Sequence, residues 1–280
     1  MGAPQTDVLS IEEIAVDDSE DFGSIAFVTI NRADKLNALN AEVMSSLKDM
    51  VTWVEQTDSI RVVVITGAQP NEPEQGKRAK PNAFVAGADI TEFVGKKSDD
   101  IRNMFADNAV EALWNISKPT IAMVDGFALG GGCEVACSCD IRIASNRSRF
   151  GTPEINLGLM PGYGATQRLV NLLGYGKTME MVMTGEMIDS NDALKWGLVN
   201  HVVEPDQLYD FTMNIAKVIG SKSTHTLKVA KKTIRTALST GLEEGVAIEA
   251  EAFASLFDSE DKEIGVSAFI GRHQAKWQHK

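Results

Sequence analysis

"PTIAMVDGFALGGGCEVACSCDIRIAS", residues 119–145, holds in one span the alternation that decides the fold class. PTIAMVDG (119–126) and IRIAS (141–145) read as strands. Between them Gly130, Gly131 and Gly132 open a run of small residues that reads as a short helix. A strand, a helix and a second strand in this order call for a right-handed crossover and an α/β class. The same alternation runs toward the N-terminus. IAFVTI (25–30) and VVVIT (62–66) are β-branched runs, and the second is apolar throughout, as a strand covered on both faces must be. The intervening NAEVMSSLKDMVTWVEQ (40–56) places Val43, Met44, Leu47, Met50, Val51 and Val54 at helical spacing behind Asn40, a plausible N-cap.

Further out the pattern changes. FVAGADITEF (84–93) reads as a strand ending at Val85, a turn at Gly87 and a helix beginning near Asp89. The segment before it, AQPNEPEQGKRAKPNAF (68–84), is rich in Pro, Gly, Asn and charge and reads as an exposed loop or inserted hairpin. From about residue 206 the strands stop and four amphipathic helices follow, the last around 259–271. The expected organisation is an α/β core over 1–205 and a helical region over 206–280. Val246, Ile248, Phe253 and Phe257 in that region need a partner surface, on this chain or another.

Composition narrows the function classes. The 280 residues carry 44% hydrophobic and 24% charged side chains, enough to bury a large core. A net charge of -12 gives no long-range pull on nucleic acid or an anionic membrane surface. The three cysteines, Cys133, Cys137 and Cys139, are odd in number and clustered, so they read as reduced packing residues rather than a disulfide framework. Cys133 and Cys137 share a helix face, but the four histidines lie far away in sequence, and no metal is expected. The N-terminal residues lack a signal-peptide pattern, no apolar run reaches membrane-spanning length, and the expected location is cytoplasmic. A loose myristoylation match over Gly2–Thr6 and glycosylation matches at Asn115 and Asn146 read as coincidence.

The chemistry-bearing residues cluster at glycine-rich turns. Glu134 sits in the first turn of the helix that Gly130–Gly132 opens. An acid there complements the helix dipole by about 0.3–1 kcal/mol, which is one sufficient reason for it. The glycines supply another: without Cβ atoms, and with free N–H groups at the helix start, they make a donor cradle for a negative oxygen. A carboxylate buried beside it would have its pKa raised, which suits acid–base work. Glu154 stands in FGTPEINLGLMPGYGATQRL (150–169), where Thr152, Pro153 and Glu154 look like a cap, a first-turn proline and a first-turn acid. The N–H of Ala88, projecting past the strand that ends at Val85, completes the set. Two N–H groups, from Ala88 and Gly131, can hold one oxyanion, and removing one such donor typically costs about 2.7–4 kcal/mol of transition-state stabilisation. Glu134 and Glu154 can then face the adjacent carbons.

These motifs resemble the crotonase superfamily, the enoyl-CoA hydratase/isomerase family. AGADI, GFALGGGCE, FGTPEINLGLMPGYGATQRL and TGEMIDSNDALKWGLVNHVV carry the likeness, which runs from about residue 28 to 277. The resemblance implies a spiral of stacked ββα units with a C-terminal helical region, and trimers pairing into hexamers. It implies an oxyanion hole from Ala88 and Gly131, and catalytic glutamates at Glu134 and Glu154. The implied ligand is a coenzyme A thioester, which enters as the substrate, so no separate cofactor or metal is expected. The backbone of Ala88, Asp89, Ile90 and Thr91 would meet the adenine region, and the loop with Arg32 and Lys35 the phosphates. Phe269 and Lys276 would reach a neighbouring chain's ligand. The implied reaction is hydration of a short 2-enoyl-CoA, or its reverse. Δ3,Δ2-enoyl-CoA isomerisation, which can run with one carboxylate, and a non-catalytic acyl-CoA-binding subunit are the alternatives. The loop at 69–83 is longer than that family leads one to expect and bears on chain-length preference.

Overall fold

The computed structural model describes residues 2–17, 22–71, 76, 79–106 and 108–280. The chain opens with an antiparallel pair, β1 (Leu9–Ala15) and β2 (Ser24–Ile30), then helix α1 (Ala41–Gln56). Asn40 caps α1 by accepting the Val43 N–H at 3.0 Å, and Val43, Leu47, Met50 and Val54 form its buried stripe. β3 (Ile60–Gly67) and β4 (Ala83–Val85) follow, then α2 (Ser98–Ala106) and α3 (Ala109–Trp114). The next turn of chain is β5 (Thr120–Val124), β6 (Phe127–Leu129) and α4 (Gly131–Ser138). After it come β7 (Ile141–Ser145), β8 (Arg149–Gly151), α5 (Ala165–Leu173) and α6 (Tyr175–Thr184). β9 (Ile188–Asp189), α7 (Ser190–Trp196) and β10 (His201–Val203) end the sheet-forming part.

Successive turns place one strand in each of two sheets. The larger sheet runs β1-β2-β3-β5-β7-β10 and is parallel apart from the β1–β2 pair; the smaller runs β4-β6-β8-β9, with only β9 antiparallel. Strand, strand, helix, repeated with a shift of one strand, is a spiral of ββα units. Alternate residues of β3 serve opposite cores. Val63 and Ile65 pack with Leu47, Met50 and α4, whereas Val62 and Val64 face Ile121, Ile143 and the helix α8 (Leu208–Gly220). Both faces of the central strands are therefore dry, which accounts for their unbroken apolar runs.

The helical region continues with α9 (Thr224–Thr236), α10 (Leu242–Ser255) and α11 (Glu260–Gly271). α8 buries Leu208, Met213 and Ala216 against the large sheet. α9 is held by charge: Lys231 and Arg235 both reach Asp140, at 2.6 and 2.9 Å. α10 buries no residue, and Leu242, Val246 and Phe253, which share one helical face, are 87, 55 and 64% exposed. The last residues fold back, with Asp261 accepting the Gln278 and His279 N–H groups and the Trp277 indole donating to the Ser221 carbonyl. Part of the long loop, 72–75 and 77–78, lies outside the described residues; its other residues include no strand before β4, and Gly76, Lys80 and Pro81 are exposed.

Candidate active site

The site forms where the N-terminus of α4 meets the end of β4. Gly132 sets the approach: a methyl group there would lie 1.9 Å from the Val85 carbonyl oxygen, so only glycine lets the helix come this close. Gly130, at φ 50°, turns the chain into the helix, and its carbonyl takes the Glu134 N–H at 3.1 Å. Gly131 is the first helical residue, where an N–H has no acceptor within the helix.

Ala88 is aimed by its neighbours. Leu39 donates to the Gly87 carbonyl at 2.9 Å, and its own carbonyl takes the Asp89 N–H at 2.7 Å. In this parallel bridge residues 87 and 89 bond toward Leu39, so the N–H of Ala88 between them points the other way. The Ala88 nitrogen lies near Gly131: a methyl group on Gly131 would sit 3.5 Å from it. Among the described residues the Ala88 N–H has no backbone acceptor. Two free N–H groups thus flank a space that a side chain at position 131 would occupy.

Glu134 follows on the same helix, and Glu154 stands against Gly130. Glu134 is 1% exposed, and its Oε1 accepts the N–H groups of Tyr163 at 2.7 Å and Ala165 at 3.0 Å. Burial pushes its pKa up to about 7 against these two bonds, with the charge of Glu154 adding to the rise and that of Arg168 opposing it. Glu154 comes from the short 3-10 turn Pro153–Leu157, and its Oε1 lies 2.9 Å from where a methyl group on Gly130 would be. Its Oε2 is buried without a hydrogen-bond partner, and burial raises its pKa as well. Thr152 holds the N-cap position of this turn but does not cap it; its hydroxyl donates instead to the Met181 carbonyl at 3.4 Å. The cap expected from the Thr-Pro-Glu sequence is therefore absent, because the β8 end directs the threonine inward to α6.

The residues expected at a nucleotide end lie beside Ala88. Asp89 caps the turn Ile90–Phe93, and hydrogen bonds from Thr91 and then Arg32 hold its carboxyl below the usual carboxylate range. Arg32 is turned inward, donating to the Ala38 carbonyl at 2.5 Å and pairing with Asp89 at 3.1 Å. Lys35 and Ile90 are exposed. Phe269, on α11, is 87% exposed and contributes nothing to this chain's own site. Cys133, Cys137 and Cys139 are free and buried, and among the described residues no group of three possible metal ligands occurs.

The family model for enoyl-CoA hydratase/isomerase matches residues 20–280. The chain belongs to the enoyl-CoA hydratase/isomerase family. Curated members similar to it include the short-chain-enoyl-CoA hydratase of Clostridium acetobutylicum, 39% identical over 90% of this chain and 93% of that one. The crotonyl-CoA hydratase of Syntrophomonas wolfei is 34% identical over 97% and 100%. Among solved structures, the enoyl-CoA hydratase from Bacillus anthracis superposes with a TM-score of 0.85 at 28% identity, covering 98% of this chain and 100% of its own. The expected crotonase fold is therefore the observed one.

The support of Glu134 comes from the 162–165 loop, which no pattern around Glu134 itself marks. The signal for it lies in Gly162 and Gly164. A methyl group on Gly162 would meet the Phe105 ring at 2.5 Å, and Gly164, at φ 102°, leaves room for the Arg168 guanidinium. Phe105 in turn stacks on Tyr163, centroids 4.2 Å apart. The glycines of this loop are spaces for two side chains that fix the turn holding Glu134.

Proposed function

We propose that the protein is an enoyl-CoA hydratase that adds water reversibly to a short 2-enoyl-CoA, with Ala88 and Gly131 as the oxyanion hole. The observation that carries this reading is the pair of unshared N–H groups beside Gly131, bordered by two buried acids of raised pKa. A thioester carbonyl accepting both N–H groups has its electrons drawn to oxygen, which makes C3 electrophilic. Glu134 takes a proton from water as the water oxygen bonds to C3. The double-bond electrons move toward the carbonyl, giving an enolate held by the two N–H groups. Glu154 delivers a proton to C2, and the carbonyl re-forms. Atoms balance as one water added across C2 and C3, with a proton gained by Glu134 and one lost by Glu154, to be re-exchanged before the next turnover.

The hydrogen bonding suits this division. Glu134 Oε1 is fixed by two N–H donors, which leaves its other oxygen to hold the attacking water, whereas Glu154 Oε2 has no partner and is open to exchange a proton with C2. The two act as a coupled pair. Isomerisation would use the same N–H groups with one acid; the presence of two favours hydration. In this reading the backbone at 88–91 and the exposed Lys35 meet the nucleotide part of the thioester, and exposed apolar faces of α10 and α11 pack against further copies of the chain in a trimer or hexamer.

The test is loss of the conjugated enoyl-thioester absorbance on mixing with crotonyl-CoA. Wild type should consume it, and Glu134→Gln and Glu154→Gln should each lower kcat by at least about 10²-fold while a saturated acyl-CoA still binds. Wild-type rates in both variants would overturn the assignment. Acrylyl-CoA and longer enoyl-CoA substrates then read out the chain-length preference.

A further inference from the structure

Arg168 lies in α5, buried to 9% exposure, one helical turn beyond the loop that grips Glu134. Its Nη1 donates to the Tyr163 carbonyl at 2.7 Å and its Nη2 to Glu111 Oε2 at 2.7 Å. Its guanidinium also stands over the Trp114 ring, Cζ to centroid 4.7 Å. The same ring carries Arg235 of α9 at 4.0 Å, and Arg235 is itself fixed to Asp140. A buried arginine so heavily braced is worth its dehydration only if its position matters.

That position controls a peptide turn. The Tyr163 carbonyl held by Arg168 and the Tyr163 and Ala165 N–H groups held by Glu134 belong to one short loop. Gly164 in its middle cannot be replaced without strain, because its φ is 102° and a methyl group would lie 2.3 Å from Arg168 Nη1. We propose that Arg168 is a positioning residue for Glu134, gripping the Tyr163 carbonyl so that two main-chain N–H groups stay aimed at Oε1. This rests on the hydratase reading for its kinetic consequence but not for its structural one. The guanidinium charge acts in the same direction, favouring the ionised form of Glu134 over the opposing effect of burial. The other titratable groups around Glu134 are Glu154 from the 3-10 turn, Tyr163 from the loop, and Cys133 and Cys137 from its own helix; Glu111 of α3 stands behind Arg168.

The experiment compares Arg168→Met, Arg168→Lys and Glu111→Gln with wild type. Its readouts are kcat and KM for crotonyl-CoA across pH, and the Glu134 titration by carbon NMR of glutamate-labelled protein with Glu134→Gln as the blank. Arg168→Met should lose about 10²-fold in kcat, the scale of a misplaced reacting group, with KM changed less than about threefold. Its Glu134 titration and the acid limb of kcat should both move to higher pH, because an opposite charge has gone. Arg168→Lys should reverse most of that pH shift and recover part of kcat. Glu111→Gln, altered at a half-exposed rim residue, should give a smaller loss in the same direction and serves if Arg168→Met does not fold. Unmoved Glu134 titration in every folded variant would overturn the proposal, as would a kcat loss in Arg168→Lys equal to that in Arg168→Met. A wild type without hydratase turnover would sink the hydratase reading alone, since the titration judges Arg168 independently.

Discussion

A carboxylic acid at 1% exposure costs several kcal/mol to ionise unless its surroundings compensate. At Glu134 two N–H donors compensate only in part, and its pKa stands at about 7 against an ordinary value of 4.5. Below about pH 4.5 the acid is protonated in both folded and unfolded chains, and no penalty arises; as pH rises through about 7 the folded chain must ionise a buried group, and stability falls. The difference amounts to something on the order of 3 kcal/mol at 1.36 kcal/mol per pH unit. Gln keeps an Oε1 acceptor for both N–H groups. Glu134→Gln should therefore melt several degrees above wild type at about pH 8 and close to it at about pH 5, as calorimetry will show. The neighbouring glycines separate packing from chemistry in the same way. Gly132→Ala drives a methyl group into the Val85 carbonyl at 1.9 Å and should cost about 1–3 kcal/mol or more, lowering Tm sharply. Gly131→Ala meets a Leu39 methyl at 3.1 Å and the Ala88 nitrogen at 3.5 Å; it should fold nearly as wild type and lose about 10²–10³-fold in kcat, because its methyl group crowds the Ala88 N–H.

At the scale of elements, the site is the junction of a strand end, a helix start and a loop, each fixed by a different force. β4 and α4 meet by close backbone contact, the Leu39–Ala88 bridge aims one N–H, and the 162–165 loop is filled by Phe105 and Arg168. The first was legible in the sequence, and the Leu39–Ala88 bridge was not, because its partners lie far apart in the chain. Apolar runs at 62–66 and 121–124 announce buried parallel strands, and three consecutive glycines before an acid announce a tight helix entry. The loop filling was not legible either, because it depends on contacts between residues about 57 positions apart, such as Phe105 with Gly162 and Glu111 with Arg168. The same distance explains the Arg32–Asp89 pair, 57 residues apart, which no local pattern reveals. Thr152 failed as a cap for a related reason: its sequence neighbourhood fits a cap, but a carbonyl on α6 offered its hydroxyl a buried partner. Trp114 joins the elements at the rear of the site, between Arg168 and Arg235. Replacing it with Leu should loosen α9 and lower Tm, because the buried Arg168 and the partly buried Arg235 guanidinium groups both lose the ring they stand over; hydrogen exchange should localise the loss of protection to α9.

Across the whole molecule, the alternation of strand and helix and the terminal run of helices were readable from periodicity alone, but the work each helix does was not. α8 closes the large sheet, α9 is pinned by Asp140, and α10 leaves an apolar face in water. Leu242, Val246 and Phe253 line that face, and Phe253 meets Phe257 edge-on at 5.3 Å. An exposed apolar ridge of this kind asks for cover. Light scattering after gel filtration should give three or six times the chain mass, and Phe253→Asp should shift it toward the single chain without unfolding the core, since α10 buries no residue there. A wild-type single chain would remove the proposed assembly while leaving the geometry of the site intact.

The convergence of the Ala88 and Gly131 N–H groups on one acyl oxygen is tested most directly by isotope-edited infrared spectroscopy of a bound, carbonyl-labelled saturated acyl-CoA. Two hydrogen bonds to that oxygen weaken its double bond, so the carbonyl stretch should fall below its solution frequency in wild type and return toward it in Gly131→Ala. A wild-type complex in which the thioester binds with its carbonyl frequency unchanged would contradict the account.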